Sequence, residues 1–234
     1  MSFFAIDHLK LKAPMQTNPK IQQAAEFLET AVRHHIMDGK GIAAETSLAC
    51  ASWMAGTQLY RLEIDAALDV KPGTVVLSEP VNQRLPGLMN MVAAMATQGE
   101  AAPPDMDNAD TTGAQPIYRL TLAQTQEGLD PVYLSYAKRA SLAPEELLHA
   151  ATGALGILAA KSRPVLGLAL ARYISHYCML EAAKTAGRTP QKSDFSEVHL
   201  RPLASLLPPQ SLRQRLSTWF DGSTTRNYLH SGHK

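Results

Sequence analysis

Apolar residues recur at every third or fourth position along most of this chain, a period typical of amphipathic helices. The first segment of this kind has apolar residues at Ile21, Ala25, Leu28 and Val32. Asn18 precedes Pro19, and this pair favours a helix start, because asparagine caps free backbone amides and proline has a φ that suits the first turn. The pattern therefore predicts a helix from Pro19 to about Asp38, ended by Gly39.

The second predicted helix covers residues 42–68 and carries no charge over residues 46–60. Apolar residues line two of its sides, so we expect it to be buried between neighbouring helices. Ser47, Ala51 and Ala55 are small and four positions apart, which favours close approach of another helix on that side.

The middle of the chain has weaker patterns. Residues 74–77 are rich in β-branched side chains and residues 118–122 alternate weakly, so the two segments could pair as a short β-ribbon, although an isolated ribbon is marginally stable. Between them, residues 80–95 have a helical pattern that contains Pro86 followed by Gly87. We expect these two residues to break or kink that helix.

One segment has no hydrophobic period at all. Residues 99–115 are rich in Pro, Gly, Ala and acidic residues, a composition that disfavours a packed element. We interpret the segment as a mobile loop within a single helical domain that covers residues 1–234. The alternative is a linker between two helical halves, residues 1–98 and 116–234.

The second half of the chain is more regular. It predicts a short helix over residues 131–139, and then a helix over residues 144–161 for which Ser141 is the expected cap. Pro164 is expected to open a further helix that ends near Gly187. A last helix is predicted over residues 209–220. The main apolar stripe of the helix after Pro164 consists of Leu166, Leu170, Tyr173, Tyr177 and Leu180.

These patterns together predict a mainly α fold, a compact bundle of six or seven helices with at most one short β-ribbon. Hydrophobic residues make up 45% of the 234 residues and charged residues only 18%, so the chain can bury a core. The close Ala- and Gly-rich helix faces also predict a homodimer built through helices.

Charge and cysteine content narrow the possible classes of protein. The 22 Lys and Arg residues nearly balance 21 Asp and Glu residues, which disfavours nucleic-acid binding as a function. Charged residues and Pro164 interrupt the most apolar stretch, residues 147–171, so we predict no membrane span. With only Cys50 and Cys178, the chain is expected to be cytoplasmic with free thiols.

Glu146 and His149 form the sharpest motif that could carry chemistry. A Glu and a His three positions apart share one helix face and form half of a carboxylate-bridged metal site in helical bundles. No second Glu-x-x-His motif occurs in the sequence. Glu146 is therefore also interpreted as a residue that favours the positive end of a helix dipole, and His149 as a partly buried core residue.

A second candidate site is built around Arg172 and His176, one helical turn apart. A guanidinium in an apolar helix needs a partner, for which Glu146 and Glu45 are the expected carboxylates. The functional alternative is an anion pocket in which Arg172 and His176 hold a ligand, with Tyr173 and Trp53 beside it.

The sequence thus leaves two function hypotheses open and names no cofactor. The first is a non-enzymatic helical protein that binds a protein partner or a small ligand, because the strong catalytic motifs are absent from the sequence. The second is a metal- or anion-binding enzyme with a polar site between helices, formed by Glu146, His149, Arg172 and His176.

Overall fold

The computed structural model of the protein describes residues 18–37, 43–64, 70–97 and 116–187. These residues form helices and connecting turns, and they all belong to the compact unit Met1–Phe195. The predicted mainly α fold is confirmed by the helices in this part of the chain, which are α1 (Pro19–Ile36), α2 (Ala44–Glu63), α3 (Glu79–Ala96), α4 (Leu122–Arg139), α5 (Pro144–Leu166) and α6 (Leu168–Lys184).

Several predictions fall on residues that lie outside the described part of the chain. These are Gly39 as the helix-ending residue, residues 65–68 of the second helix, the loop or linker at residues 99–115, and the helix at residues 209–220. Within the described part, α1 ends at Ile36 and α2 at Glu63, both earlier than predicted, because Met37 and Ile64 have extended backbone conformations. The single-domain interpretation of residues 1–234 stays a prediction.

Helix α2 is central to the packing and is buried over residues 46–59. It packs against α6, α5 and α4. Gly56 allows the close approach of α6, because a Cβ atom at this position would overlap the Met179 carbonyl oxygen and the Ala183 amide nitrogen. These are backbone atoms that cannot move aside alone, so α2 and α6 lie closer together than ordinary side chains permit.

The predicted start of α1 is confirmed by its cap. The side chain of Asn18 accepts a hydrogen bond from the Lys20 amide at 3.0 Å, and Pro19 is the first helical residue. Ile21, Ala25, Leu28 and Val32 are all buried, as their spacing indicated.

The predicted β-ribbon between residues 74–77 and 118–122 is wrong. Thr121 is the N-cap of α4, with a capping box in which the Thr121 side chain accepts from the Gln124 amide and the Gln124 side chain accepts from the Thr121 amide. Since this cap starts a helix, residues 118–122 cannot form a strand. Val75 instead makes an isolated antiparallel bridge with Thr185.

The helix starts predicted at Pro131 and Pro164 are wrong, and α3 has no break at Pro86. Pro86 lies inside α3, Pro131 inside α4 and Pro164 inside α5, and each helix continues past its proline. An interior proline costs roughly 3 kcal/mol through the lost hydrogen bond and the ring clash, so packing of the buried face must offset that cost. Gly167, with a φ of +74°, is what separates α5 from α6.

The expected cap at Ser141 was also wrong. The N-cap of the next helix is Ala143, and Ser141 itself has a φ of +50° in the turn before it. The carboxylate of Glu146 replaces a capping side chain by accepting from the Ala143 amide at 2.9 Å.

Helix α6 buries the opposite face from the one that hydrophobicity indicated. Its buried residues are Ala171, Ile174, Ser175, Cys178, Met179, Ala182 and Ala183. From the predicted stripe, Tyr173 is 43% exposed, Tyr177 52% and Leu180 38%. The small residues face α2 because only they permit the close contact at Gly56, and this requirement outweighs the larger apolar area of the other face.

No helix among residues 18–37, 43–64, 70–97 and 116–187 is long and apolar enough to cross a membrane.

Candidate functional site

A hydrogen bond between Trp53 on α2 and Glu181 on α6 anchors the candidate site. The indole nitrogen of Trp53 donates to a carboxylate oxygen of Glu181 at 2.7 Å, and the Trp53 side chain is only 3% exposed. A buried indole N–H normally finds an acceptor. The bond therefore fixes the Glu181 carboxylate in one position at the surface of α6.

Tyr118 packs against the same indole. Its ring meets the Trp53 ring edge-on, with centroids 5.4 Å apart and an interplanar angle of 73°. Burial, followed by the neighbouring Cys178 thiol, raises the pKa of Tyr118 above its ordinary value. The phenol therefore stays neutral and supports the position of Trp53.

The two cysteines are packed thiols in the helix interior. Burial raises the pKa of Cys178 to about 12 and that of Cys50 to about 11. The Cys50 sulfur lies 3.3 Å from the Thr125 hydroxyl oxygen. Because the thiolate is the reactive form, neither residue is prepared to act as a nucleophile near neutral pH.

An open groove of about 570 Å³ lies beside Glu181. Its walls are the turn at Pro72, the first turns of α4 after Thr121, and the end of α6 with Thr185. Gln126 reaches the groove from α4, and its amide nitrogen donates to the Thr57 hydroxyl at 2.9 Å. The groove thus combines mostly apolar walls with a few polar groups that other parts of the fold hold in place.

The edge of this groove is fixed by backbone pairing after α6. The Gly73 amide donates to the Ala186 carbonyl at 2.8 Å, and the Ala186 amide donates to the Thr74 carbonyl at 2.8 Å. The Val76 amide donates to the Lys184 carbonyl at 2.7 Å. These bonds hold the turn before α3 against the end of α6.

The two residues predicted to bind a metal ion, Glu146 and His149, instead contact other side chains and the backbone. Glu146 caps α5 and pairs with the Lys20 ammonium at 3.1 Å. The Ala143 amide and then Lys20 lower the pKa of Glu146. The His149 imidazole lies 3.6 Å from Glu145, which also pairs with Arg84. Among the described residues, no group of three or more His, Cys, Asp or Glu residues is arranged to hold a metal ion.

The residues of the predicted anion pocket differ in their exposure to solvent. Arg172 and His176 are half-buried on α6, and burial followed by the charge of Arg172 lowers the pKa of His176. Tyr173 stacks on Tyr177 with centroids 6.0 Å apart on the outward face. Glu146, one expected partner of Arg172, pairs with Lys20 instead.

Trp53 is therefore the one predicted site residue that reaches the groove region, through its bond to Glu181. Sequence reasoning missed Glu181 because 128 positions separate it from Trp53, and no local spacing relates the two residues. The signal that existed was the single carboxylate of α6, near the end of that helix.

Comparison with known proteins adds no family or function. No family model matches the chain, and no similar curated protein or solved structure was found.

Proposed function

We propose that this chain is a non-enzymatic helical protein that binds a small ligand in the groove beside Glu181. The observation that carries the proposal is a mostly apolar groove with one carboxylate held by a buried indole at 2.7 Å. Ligand sites in proteins commonly have volumes of about 300–1,000 Å³ and a few fixed polar groups. The groove volume of about 570 Å³ lies in that range.

Two features support binding over catalysis at this groove. Cys178, three positions before Glu181 on α6, has a pKa raised to about 12 by burial, which disfavours a nucleophilic role. Glu181 has its position set by a neutral donor, an arrangement suited to orienting a ligand. The alternative, an enzyme site around Arg172, has less support because its expected partner Glu146 is engaged with Lys20.

A groove-filling substitution tests this proposal. Ala123 is exposed in the first turn of α4 and lines the groove, so Ala123→Trp should fill the space without disturbing the core. Ala160→Trp, at an exposed position of α5 outside the lining, is the matched control. We would screen a library of small polar fragments by saturation-transfer NMR.

The proposal predicts fragments that bind the unaltered chain and Ala160→Trp but not Ala123→Trp. A screen in which every fragment that binds does so equally well to Ala123→Trp would refute the groove as the ligand site. A screen without any binding fragment would count against it in the same way.

We also propose that the outward face of α6 pairs with a second copy of this chain. Tyr173, Tyr177 and Leu180 follow one another at spacings of four and three, the pattern by which two helices interlock side by side. The same face on an identical chain is complementary to it through a twofold axis. The size of the complex in solution tests this pairing, as described in the Discussion.

A further inference from the structure

Glu181 meets the groove without a cationic partner among the described residues. Its hydrogen-bond donor there is the neutral Trp53 indole, and none of the ion pairs in that part of the chain involves Glu181. A neutral donor orients a carboxylate but leaves its full negative charge in place. A half-buried carboxylate of this kind favours a cationic partner.

Among the described residues, the groove lining contains no Lys, Arg or His that could balance the charge of Glu181. Glu181 lies in the last turn of α6, where the Lys184 carbonyl already accepts from the Val76 amide and the Ala182 carbonyl from the Thr185 amide. The attraction of the groove for a cation therefore depends on the Glu181 carboxylate.

We propose that the groove ligand binds through a cation that donates hydrogen bonds, a primary ammonium or a guanidinium group, placed on Glu181. This inference rests on the proposed function and names the class of its ligand. A quaternary ammonium is disfavoured because it has no N–H to donate, and among the described residues no aromatic side chain lines the groove to bind it through its ring face.

Trp53 supplies an internal reporter for this contact. The chain has two tryptophans, Trp53 and Trp219, so Trp219→Phe leaves Trp53 as the single emitter. Three probes of equal alkyl length separate the possibilities: n-butylammonium, n-butyltrimethylammonium and n-pentanoate. Each would be titrated by fluorescence and, in parallel, by saturation-transfer NMR, which detects binding even where the emission does not change.

The expected result is selective binding of n-butylammonium. Charge-assisted hydrogen bonds contribute roughly twice as much as neutral ones, so Glu181→Gln should weaken n-butylammonium binding about tenfold or more. The glutamine oxygen still accepts from Trp53, which keeps the indole in place. Glu79→Gln, at an exposed position of α3 outside the groove lining, is the matched control and should bind as before.

The outcomes separate this inference from the proposed function. Equal binding of all three probes, or unchanged n-butylammonium binding in Glu181→Gln, would overturn the cation assignment. If fragments lost in Ala123→Trp are then neutral or anionic, the groove still binds a ligand and only its class is wrong. If no fragment is lost in Ala123→Trp, the proposed function itself fails.

Discussion

Arg61 on α2 donates to Asp130 on α4 through two nitrogens, one of them at 2.6 Å. The Asp130 side chain is 5% exposed and that of Arg61 25%, so the pair is mostly withdrawn from water. Gln58 adds a donor at 3.5 Å from the same carboxylate. This contact joins two helices that are 69 positions apart in the chain.

Removal of the Asp130 carboxylate should therefore destabilise the fold. Asp130→Ala leaves Arg61 without its partner, and breaking a buried pair typically costs about 3–5 kcal/mol. Because Arg61 is partly exposed and can regain water, we expect the free energy of unfolding to fall by about 2–3 kcal/mol. Urea denaturation measures this change, with Glu79→Ala as an exposed control. A loss below about 0.5 kcal/mol, the size of an ordinary surface effect, would contradict the interpretation.

Two glycines should respond in opposite directions to the same substitution. Gly56→Ala would push a methyl group into the Met179 and Ala183 backbone, so we expect a loss of about 2 kcal/mol or more of stability. Gly87→Ala, in α3, meets no atom within 4 Å and should gain up to about 1 kcal/mol from helix propensity. Thermal unfolding of the two variants checks the sign of each effect. Similar melting temperatures would contradict the close approach of α2 and α6.

The buried thiols should be unreactive in the folded protein and should make it sensitive to alkali. A thiol-specific disulfide reagent at pH 8 should label Cys50 and Cys178 only after urea is added.

The pKa values of Cys50 and Cys178 are raised from 9.0 to about 11 and about 12 by burial. The unfolded chain therefore loses these protons first, and stability should fall as the pH rises above 9.

The double variant Cys50→Ala, Cys178→Ala isolates this alkaline effect. Between pH 9 and 10 its unfolding free energy should change less with pH than that of the unaltered chain. Tyr118 and Tyr133, whose pKa values are also raised by burial, act in the same direction at higher pH in both proteins. Identical slopes between pH 9 and 10 would rule out the cysteines as the source.

The pairing of two copies through α6 predicts a change of mass in solution. Tyr177→Glu places a charge in the middle of the exposed stripe and should convert a dimer into a monomer, since charges are depleted at the cores of such interfaces. Size-exclusion chromatography with light scattering at micromolar concentration measures the mass. Leu77→Glu, at a position that is 83% exposed elsewhere, should leave it unchanged. An unaltered chain that is purely monomeric would remove the prediction.

Local signals in the sequence were enough for most of the helices. The Asn18 and Pro19 start and the buried positions of α1 follow from spacing and capping chemistry alone. The capping box of Thr121 and Gln124 is also a local signal, and it outweighs the weak alternation over residues 118–122. Interior prolines could not be placed from sequence, because their cost is offset by packing with distant segments.

The orientation of α6 and the site beside it depend on contacts between distant residues. Large apolar side chains favour burial by area, but the small residues opposite Gly56 gain closer packing with α2. Glu181 is recognisable as a candidate only when Trp53 is known to donate to it. Neither relationship has a local pattern that sequence spacing could reveal.

The backbone pairing of Gly73 and Thr74 with Ala186 makes the groove a property of the folded state alone. Its walls come from the turn at Pro72, from α4 and from the end of α6, which meet only when those bonds exist. A compound that occupies the groove therefore has no counterpart site in the denatured chain and must raise the melting temperature by mass action. At 100 times its dissociation constant, it adds about 2.7 kcal/mol to stability, so a melting-temperature screen of metabolite mixtures can search for the natural ligand without an activity assay.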